Sequence, residues 1–310
     1  LSVLSVQLQT VQHSPTLQVK AVGLNFRDVL NVLGMYPGDP GPPGGDCAGV
    51  VRGRDGLGPQ GVAGLGFGSL QCYAGTDPRL LVGMFSQWSY SEASAMPTTW
   101  VTAWMCLEEP GSMSTGQPGL IQAATGGVGL VAVELLQRGG VRVVATAGRD
   151  EKQGYLRRCR VHHISTTRDG SMFIEEMMPV LGEGSWLGVV LNSLSHDEYI
   201  PLAAELLEDG GWFVEIGKRG IWSSKEMSTS NVQLRYKVVA MDGQCALDAV
   251  WQHSSLQGLS RGSSGSSSEV QPLPLHESEL QSEGVDGFRL LQQASQIGKV
   301  VIFNQKMVKR

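Results

Sequence analysis

The chain has little that could cross-link it, anchor it in a bilayer or draw it to a polyanion. Its five cysteines, Cys47, Cys72, Cys106, Cys159 and Cys245, stand far apart with no CxxC pair. Neither a disulfide framework nor a structural zinc site is expected, and a reducing compartment, by default the cytoplasm, is. No run of about 18 uncharged apolar residues occurs, which argues against a membrane-spanning helix. The start lacks the basic n-region of a signal peptide. A chain that opens abruptly at Leu1 reads instead as a domain within a longer polypeptide. Charged residues make up only 17% of the 310, with a formal net charge of −5, so nothing in the balance attracts nucleic acid or anionic lipid as a whole. There is no internal repeat and no Gly-x-Ser-x-Gly elbow of the kind that exposes a nucleophilic serine. His162 and His163 are adjacent, so their side chains diverge on either a strand or a helix; they read as a surface pair at a loop tip, and no metal is expected there.

What is abundant is glycine. The 41 glycines fit many tight turns and places where backbone meets a ligand. The length allows two medium domains, and the 41% hydrophobic content gives each the material for a core. Residues 17–52 alternate apolar runs with Gly/Pro clusters such as 36–45, the pattern of short strands joined by turns. From Trp100 the rhythm changes. Strand candidates at Gly119–Ala124, Val141–Ala147, Gly188–Leu191 and Trp212–Ile216 alternate with helix-like segments at Leu130–Gln137, Glu151–Cys159, Phe173–Leu181 and Ile200–Leu207. Such alternation predicts a parallel sheet with helices on both faces. Residues 254–268 are rich in Ser and Gly and read as a flexible insertion. Beyond them Gly287–Gln293 looks helical and Lys299–Phe303 forms a last strand.

The sharpest motif is Ala124-Thr125-Gly126-Gly127-Val128-Gly129, after a strand candidate and opening a helix. It has the form of the dinucleotide fingerprint with Ala in its first place. Gly126 lets backbone approach a pyrophosphate, whose charge meets N–H groups at the helix N-terminus; Gly129 lets helix and strand pack closely. About 20 residues on, a fold that binds NAD presents an acid to the ribose 2′-hydroxyl. Here the second strand ends Ala145-Thr146-Ala147-Gly148 with no acid at its tip, and Arg149 and Lys152 follow, so NADPH is expected. Asp150 and Glu151 dilute that charge, and a solvated turn before a helix remains the alternative.

With these features in place, the chain resembles the medium-chain dehydrogenase/reductase superfamily, and within it the enoyl-reductase domains of type I polyketide synthases. The landmarks are the segments 22–30, 34–38, 123–129, 145–152, 190–194, 213–218 and 297–301, in the family's order. The resemblance implies an α/β fold: a Rossmann-type doubly wound parallel sheet inserted in a GroES-like β-rich substrate domain. The expected limits are 1–103 for the first part of the substrate domain, 104–243 for the dinucleotide domain and 244–310 for the return. It also implies that Thr102 sits near the nicotinamide, that Asn192, Ser193 and Leu194 line the cofactor at a strand end, and that Gly217 lies beside the ring. The partners it implies are an acyl carrier protein bearing a phosphopantetheine-tethered enoyl substrate and neighbouring synthase domains. Three departures stand out: a shortened start, Gly45-Asp46-Cys47 where relatives often carry Gly-Gly-Glu, and the Ser-rich insertion.

Reduction of an α,β-unsaturated thioester needs hydride at Cβ, stabilisation of charge on the thioester oxygen and a proton at Cα. Lys218 follows a strand whose C-terminal end faces the ligand crevice of such sheets, where a cation would favour the enolate. Otherwise it is a surface residue of the basic turn Lys218-Arg219. By resemblance Asp242 is its acidic partner and Tyr36, in Gly-Met-Tyr-Pro, delivers a proton at one face of the substrate; an Asp at a strand end also forms turns, and a Tyr beside a Pro-rich turn also packs. Arg27 and Asp28 belong to the family motif, with an anchoring ion pair as the plainer reading. A free-standing quinone or enone reductase and a catalytically silent scaffold domain are the competing functions.

Overall fold

The computed structural model describes residues 16–51, 60–84, 87–108, 114–165, 169–182, 186–194, 199–217, 220–229, 233–241, 249–261 and 270–303. In chain order the elements begin with β1 (Thr16–Gly23), α1 (Phe26–Val32), β2 (Asp46–Val51), β3 (Gln60–Leu65), β4 (Tyr73–Gly75), a 3-10 turn (Pro78–Leu80), β5 (Leu81–Gly83), α2 (Tyr90–Ala95) and α3 (Pro97–Leu107). Next come β6 (Pro118–Ile121), α4 (Gly127–Arg138), β7 (Arg142–Thr146), α5 (Asp150–Arg158), β8 (His163–Ser165), α6 (Gly170–Leu181), β9 (Leu187–Asn192), α7 (Tyr199–Glu205), β10 (Leu207–Glu215), α8 (Ser224–Thr229) and β11 (Arg235–Val238). The chain ends with α9 (Ala249–Arg261), β12 (Leu275–Glu279), α10 (Gly284–Gln292) and β13 (Lys299–Phe303). Contacts divide it into two compact units, residues 1–101 with 241–310, and residues 102–240.

The discontinuous unit is built on a seven-stranded sheet in the order β12-β13-β1-β2-β3-β5, with β4 also on β1. The return strand β13 pairs antiparallel with β1, Val22 opposite Ile302, so the two ends of the unit share one sheet. A buried polar cluster fastens this join. Lys299 Nζ lies 2.9 Å from Asp46 Oδ2 and also donates to Asn25 Oδ1. Asn25 Nδ2 donates to the same Asp46 oxygen, and Thr98 donates to Asp46 Oδ1 through its backbone N–H and its hydroxyl. A buried carboxylate needs such saturation, because an unpaired one carries a large desolvation cost.

Two expectations require correction here. Residues 17–52 are not strands and turns alone, because Phe26–Val32 is helical. Asn25 caps it: the Asp28 carboxylate accepts the Asn25 N–H at 2.8 Å in a capping box, while Val29 and Leu30 are buried. The expected insertion at 254–268 is helical in its first half, since α9 runs to Arg261; residues 262–269 lie outside the described residues. Leu256 and Gln252 are fully buried, and Trp100 Nε1 donates to the Ser255 carbonyl at 3.1 Å. Composition hid this because the burying residues sit one turn apart among serines and glycines.

The second unit is a six-stranded, wholly parallel sheet in the order β11-β10-β9-β6-β7-β8. Numbered within the unit this is 6-5-4-1-2-3, the doubly wound order that reverses between β6 and β9. The central strands β6, β7 and β9 carry the near-continuous buried apolar runs that a sheet covered on both faces demands, whereas the edge strands β8 and β11 are short and more polar. Phe173, Met177, Tyr199, Ile200, Leu187, Val190 and Phe213 belong to one buried hydrophobic cluster. Strand β10 begins at Leu207, five residues earlier than the apolar run suggested, with Gly210 at φ +78° where its register to β9 shifts.

Candidate active site

Because the six strands are parallel, their C-terminal ends share one edge, and most residues expected to bind cofactor fall along it. At the end of β6 the chain turns through Ala123, which takes a left-handed φ of +47° unusual for a residue other than glycine. Thr146, at the end of β7, holds that turn: its hydroxyl accepts the Ala123 N–H at 3.0 Å and its carbonyl the Ala124 N–H at 3.1 Å. Helix α4 then starts with Gly126 as N-cap, a residue with no side chain to cap the first-turn N–H groups. Ala124, Thr125 and Gly129 are buried, whereas Gly126, Gly127 and Val128 are partly open.

The two key glycines have different reasons. A Cβ on Gly129 would lie 2.7 Å from the Ala124 backbone, so glycine is required for helix α4 to meet the turn. A Cβ on Gly126 would meet only the Ala123 carbonyl at 3.5 Å, an ordinary contact. Nothing among the described residues demands glycine there. The uncapped N–H groups with an open glycine beside them fit a pyrophosphate.

Beyond β7, Ala147 is buried, Gly148 is partly open and the exposed Arg149 is the N-cap of α5. Lys152 is half-buried; its ammonium is pushed below the usual lysine range by burial and then by the neighbouring Arg149 charge, with Glu151 opposing. Two cations are thus close together at the tip of the second strand, the position that meets the ribose 2′-substituent in such folds.

At the ends of β9 and β10, Asn192 is fully buried and Ser193 and Leu194 are half-buried. Ser193 Oγ donates to the Gln122 carbonyl at 3.3 Å. Glu215, the last residue of β10 and fully buried, accepts hydrogen bonds from Asn192 Nδ2 and from the Gly217 N–H, each at 2.5 Å. Sequence reasoning passed over Glu215, although a carboxylate closing the run Trp212-Phe213-Val214 was a visible signal. Its charge is felt at Tyr236, whose hydroxyl is pushed up to about 12 by burial, then by Glu215 and Glu226. Thr102 is buried in α3 as the first residue of this unit.

In the other unit, Tyr36 is half-buried with the Arg27 guanidinium 5.4 Å from its ring centroid. Helix α1 grips the loop that follows. Arg27 donates to the Pro40 carbonyl, Asn31 Nδ2 to the Gly41 carbonyl and the Gly44 N–H to Asp28 Oδ1. Burial raises the Asp28 pKa, the Gly44 and Asn25 N–H groups oppose it and Asp46 adds to it. Lys218 and Asp242 lie outside the described residues. Of the histidine pair, His162 is exposed, while His163 opens β8 and is partly buried. Among the described residues no group of three His, Cys, Asp or Glu side chains could hold a metal, and no helix is long and apolar enough to cross a membrane.

An all-parallel sheet of this order, with a glycine turn at its switch edge, defines a dinucleotide-binding oxidoreductase architecture. No family profile matches the chain. A phenolphthiocerol/phthiocerol polyketide synthase of Mycobacterium tuberculosis is 33% identical over 298 residues, 92% of this chain. The chain spans only 13% of that relative's length. The crystal structure of CurK enoyl reductase is 32% identical with a TM-score of 0.82, covering 94% of this chain and 91% of that one. The quinone oxidoreductase of Thermus thermophilus, solved also with NADPH, is 26% identical with a TM-score of 0.74 over 94% of this chain and 91% of that one. The chain belongs to the polyketide-synthase enoyl reductases of the medium-chain dehydrogenase/reductase superfamily, with a Rossmann-type unit and a GroES-like unit.

Proposed function

We propose that this chain reduces the α,β-double bond of an enoyl thioester carried on an acyl carrier protein, with NADPH as reductant and no metal. The observation that carries the reading is the open glycine turn at the uncapped start of α4, beside the acid-free strand tip where Arg149 and Lys152 gather. The α4 N-terminus would hold the pyrophosphate, and Arg149 and Lys152 the 2′-phosphate. Bound there, NADPH supplies a hydride for Cβ.

The remaining work belongs to side chains. In this reading Lys218 stabilises the negative charge that develops on the thioester oxygen, and Asp242 holds its ammonium in place. Tyr36 gives its phenolic proton to Cα from one face of the substrate, and solvent reprotonates it. The contacts of α1 with the loop that follows it would keep Tyr36 in place while this happens.

The likeness to the Thermus quinone oxidoreductase supports a second reading, in which small untethered quinones or enones are the substrates. Steady-state assays with an enoyl thioester on acyl carrier protein and with a small quinone, each with NADPH and with NADH, separate the two. The proposal expects the tethered thioester and NADPH to give the highest kcat/KM. Preference for the quinone would favour the second reading, and no turnover of either, with no dinucleotide bound, would point to a silent scaffold.

A further inference from the structure

The proposed mechanism leaves a fully buried carboxylate, Glu215, without a part. Both hydrogen bonds described for it come from donors, Asn192 Nδ2 and the Gly217 N–H. A carboxylate meets two donors with two acceptors; a glutamine would meet only one. The consequence falls on Asn192. Its amide has a donor end and an acceptor end, and Glu215 fixes which is which.

Asn192 pairs with Glu215 across the β9–β10 register, so its Nδ2 faces β10. Its Oδ1 is the end of the amide that Glu215 does not hold, and β6 is the next strand on the other side of β9. The β6–β9 junction is where the strand order reverses, and ligands of open α/β sheets bind at that junction. Asn192 Oδ1 is buried there without a hydrogen-bond partner, and so are both amide atoms of Gln122, the residue that follows β6. Buried polar atoms are nearly always partnered, so an acceptor left over at a switch point marks a place for a ligand donor.

We propose that Glu215 is a positioning residue: it holds Asn192 so that Oδ1 accepts from the carboxamide N–H of the nicotinamide. The inference rests on the reading that this edge binds NADPH, and it adds how the amide end of the ring is told from other substituents. A carboxamide offers a donor and an acceptor, whereas the acetyl group of the 3-acetylpyridine analogue offers only an acceptor. The native chain therefore selects the carboxamide.

Glu215→Gln should reverse this. The Gln carbonyl can keep the Gly217 N–H, while its amide N–H draws the Asn192 carbonyl round and leaves Nδ2 facing the ligand. Asn192→Ala removes the acceptor and leaves the Gly217 bond in place, so it carries the test should Glu215→Gln fold poorly. In the double variant with Asn192→Asp and Glu215→Gln, the carboxylate introduced on β9 accepts from the new amide on β10 and again presents an oxygen to the ligand.

The experiment titrates NADP+ and 3-acetylpyridine adenine dinucleotide phosphate into the four proteins and compares ratios of Kd, which a general loss of structure would not shift. The native chain should prefer NADP+ by about fivefold to tenfold, the worth of one hydrogen bond. Asn192→Ala should abolish the preference, Glu215→Gln should abolish or invert it, and the double variant should restore it. A native ratio retained in Glu215→Gln or Asn192→Ala, or no preference in the native chain, would overturn this inference alone. Failure of the native chain to bind NADP+ at all would overturn the proposed function with it.

Discussion

Replacing Gly126 or Gly129 with alanine separates what the glycine turn does for the fold from what it does for the cofactor. At Gly129 the new Cβ would stand 2.7 Å from the Ala124 Cα and carbonyl oxygen, which are backbone atoms with nowhere to rotate. Overpacking of this kind costs about 1–3 kcal/mol. The gain in helix propensity from Gly to Ala, about 1 kcal/mol, offsets only part of it. At Gly126 the Cβ meets one carbonyl at 3.5 Å, and φ −71°, ψ 165° suit any residue. Losing Gly as N-cap and gaining a stiffer unfolded chain are each worth about 0.5–1 kcal/mol with opposite signs, so stability should hardly change. The methyl would stand on the side left open for the pyrophosphate, however. Urea denaturation of both variants and titration of NADPH into each give the test. Gly129→Ala should lose stability by up to about 2 kcal/mol, and Gly126→Ala should keep its midpoint while binding NADPH at least about tenfold more weakly, the equivalent of about 1.4 kcal/mol. Unchanged NADPH affinity in Gly126→Ala, or undiminished stability in Gly129→Ala, would refute the assignment.

Other outcomes follow from the same geometry. Arg149→Ala and Lys152→Ala should each weaken NADPH by about tenfold to a hundredfold, the worth of a charge-assisted contact, and NADH hardly at all, as measured by fluorescence titration. Lys299→Met should destabilise the discontinuous unit by about 3–5 kcal/mol in chemical denaturation, because it leaves the buried Asp46 carboxylate without its counter-charge. Asp28 has a folded pKa above its ordinary 3.8, so its contribution to stability is full at lower pH and falls as pH rises through the raised value. The stability of the native chain relative to Asp28→Asn should accordingly rise on acidification, and a difference constant with pH would contradict the shift. Lys218→Met should lower kcat by about a hundredfold with NADPH affinity kept, and Tyr36→Val should change the configuration of a reduced α-methyl enoyl thioester while hydride transfer continues. Unaltered rate and configuration would remove both residues from the mechanism.

The parallel sheet was the most legible part of the molecule, for a physical reason. Strands buried on both faces must be apolar throughout, so the runs around Val143, Val189 and Phe213 announced themselves, and the glycine turn stood between the first strand and its helix. Gly129 was read correctly as a packing glycine. Helix α9 was not legible, because Leu256 and Gln252 are buried amid a serine-rich composition that local statistics assign to a linker. The cluster of Asp46 and Lys299 could not be seen either: 253 residues separate the partners, and only the pairing of β1 with both β2 and β13 brings them together. The exchange of Gly-Gly-Glu for Gly-Asp46-Cys47 looked like a departure in a motif, and in the fold Asp46 is the acceptor at the centre of that join. Glu215 was missed because a single acid at a strand end carries no periodic signal; its meaning comes from Asn192 across the register.

The central claim is that this chain passes hydride from NADPH to the β-carbon of an enoyl thioester. Reducing an enoyl thioester on acyl carrier protein with NADPH deuterated on the transferred position of the ring, and locating the label in the saturated product, tests it most directly. The account predicts one deuterium at Cβ and a solvent-derived hydrogen at Cα. Unreduced thioester in the presence of bound NADPH, or a product without deuterium at Cβ, would contradict it.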